Sequence, residues 1–300
     1  VDDAIAILLA LASPSHEVAA ITCVSGNVYV DQVIRNVPII LDAARADEIP
    51  VYRGADQPLH IERRHASHVH GEDGLGDAGF PPSRRAIEKE DAVGALVRMA
   101  RQNPGGYELI TLGPLTNIAL AIAMEPDFPK MFTRITIMGG AVRGMGNVTA
   151  VAEFNVYADP EAAAIVFARV PELTLLPWEI CIDCLVPFEQ WQRLTDAGPL
   201  GRNFVRPMTV RLGDFLRSRG VAGISLPDPL AMAVALDDAV SVRRWARVDV
   251  ETGGRLARGL TAADERRSDR PPNAHIVASI DQPKFVERLE RCFAGKKSGT

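Results

Sequence analysis

"YELITLGPLTNIALAIAM" (residues 107–124) changes its hydrophobic rhythm at one point. Up to Gly113 it reads as a short, β-rich run with the length of one buried strand. From Pro114 onward the apolar residues follow a helical pattern, and a first helical turn tolerates a proline. The same succession recurs along the chain. "EVAAITCV" (17–24) predicts a strand, and residues 30–47 a helix that Pro38 should kink or delay. "ITIMGG" (135–140) predicts the next strand, followed by a helix in "DPEAAAIVFARV" (159–170) with Asp159 as N-cap and Pro160 as its first residue. "LTLLPWE" (173–179) and "AHIVASI" (274–280) complete the strands, and a helix in "PKFVERLERCFAG" (283–295) closes the chain. Such alternation predicts an α/β fold: a mostly parallel, Rossmann-like open sheet with helices on both faces and elaborated loops at the carboxyl ends of its strands.

Three hundred residues suit one such domain spanning 1–300, with 47% hydrophobic and 24% charged residues as in ordinary globular proteins. A net charge of -5 argues against a nucleic-acid footprint. No run reaches the roughly 20 apolar residues that cross a bilayer, so no membrane partner is expected. No secretory signal is visible. Four scattered cysteines (Cys23, Cys181, Cys184, Cys292) make no disulfide framework, and the single Cys-x-x-Cys pair lacks a second pair for zinc. Structural thiols in a reducing cytoplasm fit best. The stretch from Arg53 to Lys89 is too long for a plain connection, which marks it as functional or as a substructure of its own.

In open parallel sheets, ligands bind beyond the carboxyl ends of the strands. Those turns here hold Ser25-Gly26-Asn27, Gly113 to Asn117, and the loop after Gly139-Gly140 with Asn147, Thr149, Glu153, Asn155 and Asp159. Amides and acids of this kind suit a polyhydroxyl ligand or a hard cation held by oxygens. Arginine, lysine and a glycine-rich cradle for phosphate are missing from these turns. Asp2 and Asp3 stand before the apolar run "AIAILLALA". On a helix their side chains diverge by about 100°, so one could hold a cation and the other something beside it. Helix-dipole stabilisation alone also accounts for them.

Taken in order, "ITCVSGNV", "HGEDGLG", "LGPLTNIALA", "MGG" with "GNVTAVAEFNVYADPEAA", and "PDPLAMAVALD" resemble blocks of the inosine–uridine-preferring nucleoside hydrolase family. "VDVETGGRLARGLT" continues the resemblance. Asp2-Asp3 match the last two acids of the family's N-terminal Asp-x-Asp-x-x-x-Asp-Asp cluster. The resemblance implies hydrolysis of the N-glycosidic bond of ribonucleosides, with Ca2+ gripping the ribose 2′ and 3′ hydroxyls and acidifying the attacking water. It implies that Asp3 and Asp228 ligate the ion with carboxylates and Thr116 with its backbone carbonyl. Asp2, Asn27, Asn147, Glu153 and Asn155 then hydrogen-bond the sugar, Met138 packs beside it, and His70 lies near the base pocket. Homodimers or homotetramers are implied as well.

Two departures from the family pattern follow. Its general-base aspartate and first strand precede the position of Val1, so they are expected to be missing from residues 1–300. Pro227 stands where many members carry the histidine that protonates a departing purine, which leaves the leaving-group acid unassigned. The alternative is therefore a ribose- or nucleoside-binding protein without turnover. A phosphohydrolase built on paired aspartates is disfavoured by the scarcity of basic residues on the rim. His65, His68 and His70 suggest a metal only weakly, since their spacing is not helical, and Trp178 is either a base platform or core.

Overall fold

The computed structural model describes residues 1–46, 48–237, 241–266 and 269–295. Its helices are α1 (Asp2–Leu11), α2 (Val30–Ala43), α3 (Ser67–His70), α4 (Ala92–Gln102), α5 (Thr116–Met124), α6 (Phe154–Ala158), α7 (Pro160–Arg169), α8 (Trp178–Asp183), α9 (Phe188–Asp196), α10 (Arg206–Ser218), α11 (Pro227–Leu236) and α12 (Gln282–Phe293). The strands are β1 (Ile21–Thr22), β2 (Val51–Tyr52), β3 (Tyr107–Thr111), β4 (Phe132–Met138), β5 (Leu173–Leu176), β6 (Val186–Pro187), β7 (Gly223–Ile224), β8 (Ser241–Val250), β9 (Thr261–Asp264) and β10 (Ala274–Ile280). None of the described helices is long and apolar enough to cross a membrane.

The main sheet runs β3-β4-β5-β10-β8-β9. Its first four strands are parallel, and β8 and β9 add on antiparallel. Side chains alternate across it. Ile135, Ile137, Leu175 and Ile276 join α4, α5 and α7 in one core, whereas Met138, Leu176 and Val277 join α1, α11 and α12 in another. Helices therefore cover both faces, as the strand–helix alternation predicts.

Several local expectations change. The strand expected over 17–24 shrinks to Ile21–Thr22, because it finds a partner on one side only, the equally short β2. α2 continues through Pro38 and begins before it, at Val30, so its start is not delayed; burial of Val37, Pro38, Ile40 and Leu41 outweighs the one ladder bond a proline removes. Residue 47, the last of that expected helix, lies outside the described residues. α5 starts at Thr116 behind Leu115, so Pro114 belongs to the turn rather than to the first helical residue. β5 ends at Leu176, and Trp178 opens a helix. Asp159 caps α7 as expected, accepting the Ala162 N–H at 3.1 Å, with Pro160 first in the helix. β8 and β9 arise where no strand was expected.

Candidate active site

α1 and α11 pack along one another, and both begin at the same place. Asp2 and Asp3 occupy the first turn of α1, and Asp228 that of α11. Carboxylate oxygens of Asp2, Asp3 and Asp228 all lie within 4.8 Å of one another. Asp2 and Asp228 are buried and Asp3 is half-buried. Two helix N-termini thus aim their positive ends at one acidic trio. Their help is incomplete. Burial pushes the Asp228 carboxyl well above the usual range, and the charges of Asp2 and Asp3 push it further. Asp3 is raised mainly by desolvation and also by Asp2, against the pull of the N-terminal ammonium and His70. The buried Oδ1 of Asp2 has no hydrogen-bond partner.

His70 ends α3, in the loop that Gly74 and Gly76 close, and its Nδ1 lies 3.6 Å from Asp2 Oδ1. Burial, the nearby ammonium and His68 depress its imidazole to about 3, so it is neutral at physiological pH. The other two histidines diverge from it. His65 meets Ser67 Oγ at 3.2 Å, and His68 packs edge-on against Phe215. The metal-type cluster of three histidines does not form.

The loop after β4 supplies the opposite wall. Gly140 turns with φ +74, and a Cβ there would meet Thr261 Oγ1 at 2.6 Å, so only glycine fits. Its N–H donates to Glu153 Oε2 at 2.8 Å, while Glu153 also caps α6 by accepting from Asn155 N and Val156 N at 2.9 and 3.3 Å. Burial outweighs these donors and lifts the Glu153 carboxyl to about 7, with Asp2 adding to the rise. Asn155 Nδ2 donates to the carbonyls of Leu112 and Met138 at 3.0 and 3.2 Å, fastening the ends of β3 and β4. Asp3, Asn27 and Asn155 line one cavity of about 890 Å³.

Two further expected residues make side-chain contacts of their own. Thr116 is buried at the head of α5, where its hydroxyl donates to Asp159 Oδ2 at 2.6 Å. Asn147 is exposed in the loop after Gly140, its Oδ1 accepting the Phe154 N–H at 2.9 Å. Trp178, the first residue of α8, packs against the core, and Cys181 and Cys184 are buried and free. Three supporting residues were not singled out from sequence for what they do here. Asn36 donates to Asp73 O at 2.7 Å, pinning the His70 loop to α2. Asn117 donates to Cys23 O and accepts from Ala55 N, both at 2.8 Å. Asp159 accepts the Leu59 N–H at 2.9 Å and so ties the long 53–89 segment to α7. A buried asparagine on the apolar side of an amphipathic helix, as Asn36 is, was the available signal.

Residues 1–287 match the family described as inosine-uridine preferring nucleoside hydrolase. Among relatives, a pyrimidine-specific ribonucleoside hydrolase RihA of Citrobacter koseri is 36% identical over 302 residues, covering 98% of this chain and 95% of its own. Of solved structures, an inosine-guanosine nucleoside hydrolase superposes with a TM-score of 0.92 at 33% identity, over 98% of this chain and 95% of its own. A purine-preferring ribonucleoside hydrolase from Gardnerella vaginalis gives 0.91 at 29% identity, with the same coverage. With residues 1–287 matched by the family and 98% of its length by these relatives and structures, the chain belongs to the inosine-uridine preferring nucleoside hydrolase family.

Proposed function

We propose that this enzyme hydrolyses the N-glycosidic bond of ribonucleosides to ribose and free base, with calcium held at the aspartate trio and uridine preferred to inosine. The observation that carries the metal reading is the trio itself. Its oxygens lie within 4.8 Å of one another, the Asp3 and Asp228 carboxyls are raised by burial and further by neighbouring acids, and Asp2 Oδ1 has no hydrogen-bond partner. A hard cation is the counter-charge that such a set of oxygens fits. Asp3 and Asp228 would hold it, joined by the Thr116 carbonyl that the family resemblance implies. When bound, the ion supplies a grip on the two vicinal ribose hydroxyls and lowers the pKa of a water.

The remaining chemistry is positioning and charge. Asp2, Asn27, Asn147, Glu153 and Asn155 would orient the sugar, and Met138 would pack against it. Glu153 is well suited to this, because three backbone N–H groups fix its two oxygens. As the C–N bond breaks, positive charge grows on the ribose ring, and the surrounding carboxylates favour that charge more than the neutral substrate. Pro227 begins α11 directly before Asp228 and can donate no proton to a leaving base. That favours pyrimidines, as does the likeness to pyrimidine-specific RihA hydrolases. Ribose release from uridine, cytidine and inosine, measured with calcium and with EDTA, tests the proposal. Calcium-dependent release that is fastest with a pyrimidine is expected. Saturable nucleoside binding without any release would replace the enzyme reading with that of a binding protein.

A further inference from the structure

The turn that carries His70 is docked on α10 at several points. Gly76 lies flat against that helix, since a Cβ on it would meet Met208 O at 2.2 Å. His68 packs edge-on against Phe215, and the Phe80 ring lies 4.6 Å from that of Phe204, just before α10. An ion pair joins the same two segments: Arg211 Nη1 donates to Asp77 Oδ2 at 2.7 Å.

Asp77 is held ready for this contact. Its φ is +55, and among the described non-glycine residues only Arg45 is also left-handed. Aspartate and asparagine tolerate that conformation better than other residues with a Cβ. Asp73 fastens the turn from inside. Its Oδ1 accepts the N–H groups of Leu75 and Asp77 at 2.7 and 2.9 Å, while Asp77 Oδ1 accepts the Asp73 N–H at 3.2 Å. Gly71 leaves room for this, because a Cβ there would meet Asp77 N at 2.7 Å. With Oδ1 engaged inside the turn, Oδ2 is the oxygen offered to Arg211. Gly76 N donates to His70 O at 2.8 Å, so the ion pair and the imidazole lie at two ends of one hydrogen-bonded turn. On the other side, α10 leads through β7 into α11, whose first turn holds Asp228.

We propose that Arg211 and Asp77 are positioning residues for nucleoside recognition: their ion pair holds the His70 turn against α10 and so keeps that wall of the site formed. What the turn recognises rests on the nucleoside hydrolase reading; what holds the turn rests on the geometry alone. The two side chains are 42% and 37% exposed, and an exposed pair shifts an equilibrium by at most about 5-fold. That is too little to decide whether the domain folds. It is enough to change how often one turn is docked, and apparent affinity scales with the docked fraction.

The test uses the 300-residue protein with calcium and uridine. Asp77→Asn keeps the left-handed turn and its inner hydrogen bonds but drops one charge, and Arg211→Gln drops the other. Each should raise the Kd and KM for uridine by about 2- to 5-fold with kcat unchanged, and quicken amide exchange at Leu75 and Gly76 by a similar factor. The melting temperature should stay within about 3 °C of the parent's. Arg211→Lys should restore part of the affinity, and the double variant should be no worse than either single. At about 1 M salt, where screening reaches about 3 Å, the parent should come to resemble its variants. Additive losses in the double variant, or affinity and exchange unchanged in both singles, would overturn the proposal. So would a lower melting temperature with exchange quickened throughout the chain, which marks a purely structural pair. A parent that neither bound uridine nor released ribose would overturn the nucleoside hydrolase reading instead; quickened exchange in the turn would then still support the ion pair's role, and unchanged exchange would overturn it.

Discussion

Replacing Asp228 by asparagine should have opposite effects with and without a divalent cation. At 4.8 Å or less and an effective dielectric of about 20, each ionised pair in the trio repels by at least about 3.5 kcal/mol. Asp228→Asn removes two of the three pairs. Proton uptake limits what can be observed. A carboxyl whose folded pKa is raised above its unfolded value of about 4 binds more protons folded than unfolded. Stability therefore falls as pH rises from about 4 toward the folded pKa, by at most about 1.4 kcal/mol per pH unit for each group. At pH 8 in EDTA the variant should thus be more stable than the parent, by no more than about 5 kcal/mol, and at pH 5 by about 1 kcal/mol. With calcium at about 100 times its Kd the parent should gain about 2.7 kcal/mol, and the variant almost nothing. Thermal and urea unfolding at pH 5, 6.5 and 8, with EDTA or calcium, would read this directly. A variant less stable than the parent in EDTA at every pH, and still responsive to calcium, would show that the trio is not a charge-repelled cation site.

Glu153→Gln keeps the shape but gives up the carboxylate that accepts three backbone donors, so kcat/KM on uridine should fall by about 10²-fold or more; an unchanged value in steady-state assays would remove Glu153 from the sugar shell. The metal-free parent should lose stability as pH rises from 6.5 to 8, because Glu153, at about 7, is still losing its proton there. Below 6.5 His70 opposes that trend: its pKa is depressed to about 3, so its contribution is lost as pH falls. Unfolding midpoints flat from 6.5 to 8 in EDTA would contradict the raised Glu153 carboxyl. Binding of 2′-deoxyuridine should be weaker than that of uridine by about 1–3 kcal/mol, since the partners of the missing hydroxyl stay unpaired; calorimetry giving equal affinities would count against ribose as the recognised part. Pro227→His should raise turnover of inosine by about 10-fold or more while changing uridine little, and equal effects on both substrates would separate Pro227 from leaving-group chemistry.

Much of the molecule was written locally. The change of rhythm at Gly113, the Asp159-Pro160 start of α7 and the apolar run of β5 each depend on neighbours within one or two turns. Capping, periodicity and strand propensity could therefore place these elements, and the ordered blocks from "ITCVSGNV" to "PDPLAMAVALD" pointed to the family. Tertiary packing decided the rest. Asp2, Asp3 and Asp228 meet only because the faces of α1 and α11 fit together, and no local pattern encodes which helix N-termini converge. Which histidine turns inward, His70 and not His65 or His68, depends on Asn36 pinning the loop from a different helix. β10, last of the strands in sequence, lies between β5 and β8, a placement that depends on the burial of both its faces. The shortening of β1 has the same origin. A strand's length is set by the hydrogen-bonding partners beside it, and partners are supplied by the assembled sheet rather than by the strand's own residues.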